Sequence, residues 1–250
     1  MKISIITITY NSGKTVRETL ESIKSQDYNL IEHLIIDGKS SDNTLAIVSD
    51  FPHVYKAISE KDKGVYDAMN KGIKNATGQV IGILNSDDVY IDEKVISEVA
   101  NQFRKDKDVF AVYGNISFFK TETPDKTERT WISKPYYENF FEDGEVPPHP
   151  ALFVKKEVYD KIGTYFPDFK IASDYEFMLR MLKVHNYKST HLDKILVRMR
   201  LGGESTNGIH NLILNNKEVF QAWKMNKLSP PMKFYFKRPI KKLIQLVTRD

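Results

Sequence analysis

A chain of 250 residues, 41% hydrophobic and 28% charged, can bury a full core as one large domain or as a domain with an appendage. A net charge of +4 with no aromatic-interleaved basic stripe argues against nucleic acid, and the absence of cysteine excludes disulfides, zinc–thiolate sites and thiol nucleophiles. No stretch has the length of a membrane span, and the run Ile3 to Ile8 is too short and too β-branched for a signal peptide, so a cytoplasmic location is expected.

In chain order the first half alternates strand and helix. Ile3 to Thr9 is a strand, Tyr10 to Gly13 a turn, and Val16, Leu20 and Ile23 then recur at helical spacing. His33 to Ile36 is a second strand ending at Asp37-Gly38, after which Ser41-Asp42 caps a helix carrying Leu45, Val48 and Phe51. Val54 to Ile58 is a third strand, and Val65 to Ala76 a helix with Ala68, Met69 and Ile73 inward, closed by Gly78. The apolar run Val80 to Leu84 is a buried strand that ends in Asn85-Ser86-Asp87-Asp88. A helix through Val95, Val99 and Phe103 and a strand Val109 to Tyr113 follow. The rhythm predicts an α/β fold, a mostly parallel Rossmann-like sheet flanked by helices, with ligands beyond the carboxyl ends of its strands.

Four loops then fall on one rim: Thr9-Tyr10-Asn11, Asp37-Gly38, Asp62-Lys63-Gly64 and Asp87-Asp88. Two adjacent carboxylates stay ionised cheaply only if solvated, hydrogen-bonded or facing a cation, and oxygen ligands with few protein donors suit magnesium or manganese bridging phosphates. An ordinary helix-capping turn explains the pair equally well. No G-x-G-x-x-G follows the first strand and no G-x-x-x-x-G-K-[ST] occurs, so neither dinucleotide nor P-loop chemistry is supported.

In the second half, Tyr113 to Phe119 reads as a strand or bent pair, Thr121 to Thr130 as a polar connection turning back to Trp131-Ile132, and Pro135 to Phe141 as a short aromatic helix. Pro147-Pro148-His149-Pro150 delivers a histidine ahead of a strand; a lone histidine is more often structural, and its proline frame upstream of Asp174 favours a diphosphate or acceptor contact. Ser173-Asp174-Tyr175-Glu176 opens a helix with Phe177, Leu179, Met181 and Leu182 inward, where an acid can simply complement the helix dipole.

Five motifs in this order resemble the family-two inverting glycosyltransferases of GT-A fold, of the bacterial surface-polysaccharide type: Ile5 to Asn11, Asp37 to Thr44, Asp67 to Ile73, Asn85 to Asp88 and Ala172 to Glu176. The resemblance covers about the first two hundred positions and implies transfer of a sugar, from UDP by preference, to a hydroxyl of a glycan or lipid-linked acceptor. It implies that Thr9, Tyr10, Asn11 and Asp37 surround the base and ribose with Asp62 and Lys71 nearby, and that Asp87 holds the ribose or sugar side. Asp88 would ligate Mn2+ or Mg2+, Asp174 would be the catalytic base, and Glu176 would replace it if the register slips. Asn85 stands where the family's metal motif often has an acid, which weakens the case for metal dependence.

The implied organisation is a GT-A domain over residues 1–206, divided into a nucleotide-sugar half (1–114) and an acceptor half (115–206), followed by a helical basic extension over 207–250. Arg198 to Ser205 reads as a flap over the diphosphate or as an ordinary turn after a strand Ile195 to Met199, and Asn211 to Trp223 as a helix. Lys233 to Val247 mixes basic and bulky apolar residues, which suits an anionic membrane surface, docking on the domain or a homodimer contact equally. Two other classes fit less well: a nucleotidyltransferase, for which Tyr10 to Lys14 is a poor glycine-rich loop, and an inactive sugar-nucleotide-binding module.

Overall fold

The computed structural model of the chain describes residues 1–202, 209–230, 232 and 234. Strands β1 (Ile3–Thr9), β2 (Ile31–Asp37), β3 (Val54–Ser59) and β4 (Val80–Ile83) run parallel in the order β3-β2-β1-β4. Helices α1 (Val16–Lys24), α2 (Thr44–Ser49) and α3 (Val65–Asn75) make the crossovers. Alternation along β1 sends Ile3 and Ile5 to one face and Ile6 to the other, so each face buries its own core. Gly72 of α3 permits a close approach to the sheet, because a Cβ there would lie 2.4 Å from Ile6 Cγ2.

The second half adds β5 (Val89–Tyr90), α4 (Val95–Lys105), β6 (Ala111–Phe119), β7 (Arg129–Trp131), β8 (Leu152–Lys155), α5 (Lys156–Ile162), α6 (Ser173–Leu179), β9 (Ser189–Arg200) and α7 (Ile209–Met225). Antiparallel β8 is inserted between β4 and β6, while β9 pairs parallel with β6. Strands β1, β2, β3, β4, β6 and β9 share one direction and β5, β7 and β8 oppose it, giving the expected mostly parallel sheet with helices on both faces. One face packs against α3, α5, α6 and α7, the other against α4, and α1 and α2 close a smaller third cluster.

Of the two readings of Tyr113 to Phe119 the strand holds, as part of β6, with its register against β9 slipping beside Gly114; three other expectations change. Pro135 to Phe141 forms turns and no helix; Phe140 and Phe141 are drawn one after the other into the core, which helical spacing would not allow on a surface helix. Helix α2 starts at Thr44, with the Asp42 carboxylate receiving the Thr44 amide (3.0 Å) and hydroxyl (2.5 Å), and Phe51 is buried beyond its end. Arg198 and Arg200 are strand residues of β9, not part of a flap. Gly203 to Ser205, and Lys233 to Val247 except Phe234, lie outside the described residues.

Candidate active site

β1, β2 and β4 end together, and the loops leaving them are tied to one another. Asp37, wholly buried, receives Thr9 Oγ1 (2.9 Å), the Ser40 amide (2.9 Å) and hydroxyl (2.5 Å), and Ser59 Oγ (2.6 Å). Burial pushes its carboxyl up and these donors more than reverse it, holding it below the usual range. Those four donors fill the roughly four lone-pair positions of a carboxylate, so Asp37 shapes the rim from within instead of reaching outward as expected. Asn11 adopts a left-handed backbone (φ 48°), which asparagine tolerates, and its Oδ1 accepts the Ser41 amide (2.9 Å).

Tyr10, 66% exposed, stands over a cleft of about 300 Å³ that it lines with Gly38, Lys39, Lys61 and Asp62. Gly38 keeps that cleft open, since a Cβ there would lie 2.5 Å from Asp62 Oδ2. An aromatic face beside one carboxylate and two ammonium groups is suited to a nucleobase and its ribose. Lys71 is not among the lining residues; it pairs with Glu60 (3.1 Å) and Asp67 (3.3 Å) and donates to the Lys61 carbonyl (2.8 Å), supporting the cleft from behind.

Ser12 Oγ and Ser86 Oγ, 2.8 Å apart, tie this rim to the loop after β4. There Asp88 is 1% exposed, its Oδ2 receiving Asn85 Nδ2 (3.1 Å) and its Oδ1 the Arg200 amide (3.3 Å). Burial first, and the neighbouring Asp87 second, push the Asp88 carboxyl well above its ordinary value. Asp87 is also raised by burial, offset by its own amide and the charge of Arg200. The Arg200 guanidinium is committed to Glu18 (2.6 Å) and Thr121 (3.1 Å) and lies over the Phe119 ring (4.7 Å). Asp88 is therefore buried, with Asp87 half-buried beside it, and no side-chain cation of the described residues bonds to either carboxylate. Among the described residues no group of three or more His, Cys, Asp or Glu side chains is placed to hold a metal ion. Two adjacent carboxylates with open lone pairs nevertheless fit Mg2+ or Mn2+, which keeps waters and takes further ligands from phosphates.

Because β8 runs antiparallel to β4, with Phe153 opposite Gly82, the turn His149–Ala151 before it lies beyond the carboxyl end of β4, on the side of Asp87-Asp88. His149 Nε2 meets Tyr165 Oη at 3.0 Å. Burial lowers the imidazole's pKa, partly offset by the charge of Asp174, which is thus close by. Asp174 sits half-buried in the first turn of α6, and its Oδ1 accepts the Tyr66 hydroxyl at 3.0 Å. Tyr66 and Asn70 both project from α3; the Asn70 amide brackets the Tyr165 backbone, donating to its carbonyl (2.8 Å) and accepting its amide (3.0 Å). Glu176 cannot serve as the reserve base. It is 1% exposed, and its oxygens receive Arg180 Nε (2.9 Å), Arg180 Nη2 (3.0 Å) and Asn226 Nδ2 (2.9 Å).

Tyr10, Asp62, Asp87 and Asp88 thus follow the carboxyl ends of strands, His149 lies in the turn beside the end of β4, and Asp174, on α6, is linked to that turn through Tyr66 and Tyr165, with Thr9, Asn11, Asp37 and Lys71 bracing the rim. Sequence reading missed Tyr66 and the backbone contact of Arg200. The first had only its place one residue before Asp67-Ala68-Met69-Asn70 as a signal, and the second a contact 112 residues away in the chain.

A mostly parallel sheet whose strands carry buried carboxylates at their carboxyl ends is the architecture of a GT-A glycosyltransferase. The chain belongs to glycosyl transferase family 2, whose family model it matches over residues 4–163. It is 34% identical over 181 residues, 71% of this chain and 68% of the relative, to an uncharacterised glycosyltransferase of Mycobacterium tuberculosis. It is 28% identical over a segment of the same length to a PGL/p-HBAD biosynthesis glycosyltransferase of Mycobacterium bovis. In fold it is similar to Staphylococcus aureus TarS 1-349 in complex with UDP-GlcNAc (TM-score 0.68, 18% identity, 95% of this chain, 69% of that one). It is similar in the same sense to the mannosyltransferase PcManGT of Pyrobaculum calidifontis in complex with GDP-Man and Mn2+ (TM-score 0.65, 17% identity, 98% and 70%).

Proposed function

We propose that the chain transfers a sugar from a UDP-linked donor to a hydroxyl of a glycan or lipid-linked acceptor in polysaccharide assembly, with inversion at the anomeric carbon. The observation that carries this reading is the under-neutralised Asp87–Asp88 pair beyond β4, beside the His149 turn whose Tyr165 partner packs against the Tyr66 that holds Asp174. The base and ribose rest in the Tyr10–Asp62 cleft, on a rim held by Asp37 and Asn11. Asp88, with Asp87 beside it, would hold Mn2+ or Mg2+, and the bound ion supplies Lewis acidity to the departing diphosphate. Asp174 takes the proton of the acceptor hydroxyl as its oxygen bonds to the anomeric carbon and the bond to the diphosphate breaks. One base and one displacement invert the centre. His149 contacts the diphosphate or the acceptor. The bound donors of the two structural neighbours support the donor class, and the Mn2+ of one supports the metal.

The decisive measurement is a thermal-shift panel of nucleotide sugars with and without Mn2+, followed by product analysis of the hits. A donor at a hundred times its dissociation constant stabilises by about 2.7 kcal/mol. Manganese-dependent stabilisation by a UDP-sugar and release of UDP support the reading, whereas pyrophosphate as product makes the chain a nucleotidyltransferase and binding without turnover makes it a binding module. For the basic segment beyond Pro230 we propose attachment to an anionic membrane surface from the cytoplasmic side. Flotation with anionic liposomes that is unchanged by removing the segment rejects that, and a homodimer contact there would be visible as a change in oligomeric state.

A further inference from the structure

The helix that presents Asp174 has no cap of its own. Its N-cap residue is Ala172 and no side-chain cap bond is made, so although the helix runs on into a π-helical turn at Arg180–Val184, its first-turn amides have no side-chain cap. Support comes from two distant elements. From α3, the Tyr66 hydroxyl donates to Asp174 Oδ1 (3.0 Å). From α7, the Glu218 carboxylate receives three consecutive amides, Lys170 on Oε1 (2.8 Å) and Ile171 and Ala172 on Oε2 (2.9 Å each), immediately before the residue that opens the helix. Glu218 is 5% exposed, so this grip is shielded from water.

Two further contacts register α7 against α6: Trp223 Nε1 donates to Tyr175 Oη (2.8 Å) and Asn226 Nδ2 to Glu176 Oε1 (2.9 Å). Val219, Ala222 and Trp223 are buried in the same apolar cluster as Phe177, Met178 and Leu179.

We propose that Glu218 is a positioning residue for sugar transfer: by gathering the amides of residues 170–172 it fixes where the α6 first turn, and with it Asp174, meets the acceptor hydroxyl. The inference rests on the reading of Asp174 as the base. Convergent amides on one anion form a stiff nest, and a misplacement of about 1 Å at a reacting group costs on the order of a hundredfold in rate. Glu218 and residues 170–172 are not among the residues lining the donor cleft, so the loss of Glu218 should be felt in turnover and not in donor affinity.

The test is a double-mutant cycle on the full chain, using as probe the nucleotide sugar that most raises the melting temperature and reading released nucleoside diphosphate. Glu218→Gln keeps the shape of the side chain but replaces one acceptor oxygen with an amide that cannot receive an N–H. Expected are a loss of kcat of about tenfold or more with donor KM within twofold, and no further loss when Glu218→Gln is added to Asp174→Asn. A wild-type kcat, a rise confined to KM, or the same fold-loss in both backgrounds overturns the proposal. Should Glu218→Gln fail to fold, Asn226→Ala, which loosens the same helix at its other end, is put through the same cycle with the same criteria. Near-normal turnover in Asp174→Asn alone overturns the base assignment instead, so the two failures are separable.

Discussion

Two buried carboxylates at opposite ends of the same sheet, Glu32 and Asp88, are treated in opposite ways. At the amino end Glu32 is 1% exposed and receives Ser4 Oγ (2.5 Å), the Thr77 amide (2.7 Å) and hydroxyl (2.5 Å), and the Lys2 ammonium (2.6 Å). Burial raises its carboxyl, but Lys2 and the hydroxyls outweigh burial and leave the pKa at about 2. At the carboxyl end Asp88 is just as buried, yet it has one side-chain amide, one long backbone contact and a second carboxylate for a neighbour, and its pKa moves up. Glu32 has its charge held by protein donors, as Asp37 does at the carboxyl end, whereas Asp88 lacks such donors, which is what the proposed metal site requires.

The largest effects belong to the carboxyl end. Asp174→Asn is expected to keep donor binding and lose about a hundred- to ten-thousand-fold in transfer, measured as turnover against a titration of the donor. Asp88→Asn is expected to abolish manganese-dependent donor binding while leaving the melting temperature of the metal-free protein unchanged or higher, because exchanging an uncompensated buried carboxylate for its neutral isostere removes a desolvation cost. A lower melting temperature would mean that Asp88 is satisfied as a structural group, and the contrast between the two ends would fail.

That contrast also marks what a sequence makes legible. Apolar, β-branched runs such as Ile3 to Ile8 and helix spacings such as Ala68, Met69 and Ile73 are local signals, and the elements they predict are present. The rim followed from topology, since strands joined by helical crossovers must end on one edge. What was not legible depends on partners far apart in the chain. Glu176 in the first turn of α6 lies beside Asp174; its i,i+4 pairing with Arg180 is a local signal that went unread, whereas Asn226, fifty residues on, and Tyr66, which leaves Asp174 half-open, are not local. Pro135 to Phe141 misled because aromatic density was read as helical amphipathicity, whereas those rings fill gaps in the core between turns.

At the amino end the expected effect is on stability alone. Glu32→Gln should lower the unfolding free energy at pH 7 by on the order of 3 kcal/mol, the worth of moving a carboxyl from 4.5 to about 2, with kcat and donor KM unchanged. For a depressed carboxyl the stability is present above the unfolded value and is lost as pH falls from 4.5 toward 2, so the variant's deficit should vanish in that window. A change in kcat would join the two ends energetically and break the comparison.

The smallest effect is on the histidines at the same end, and it has its own pH window. His33 is fully buried, its Nε2 3.0 Å from Thr7 Oγ1 and its Nδ1 3.2 Å from His53 Nε2. Burial first, and the nearby His53 second, lower its pKa from 6.5 to about 3, and burial lowers His53 in the same direction. A histidine kept neutral by folding contributes fully above its unfolded value and loses stability as pH falls below 6.5, because the unfolded chain then binds the extra proton. At pH 5 the loss from His33 is about 2 kcal/mol relative to pH 7. Denaturant titrations at pH 7, 6 and 5 should therefore show declining stability before Glu32 begins to titrate, and His33→Gln should flatten that decline, leaving only the part due to His53. An equal slope in the variant would mean that the imidazole pair is hydrated and can charge in place, and the amino end would then hold its polar groups no more tightly than the carboxyl end does.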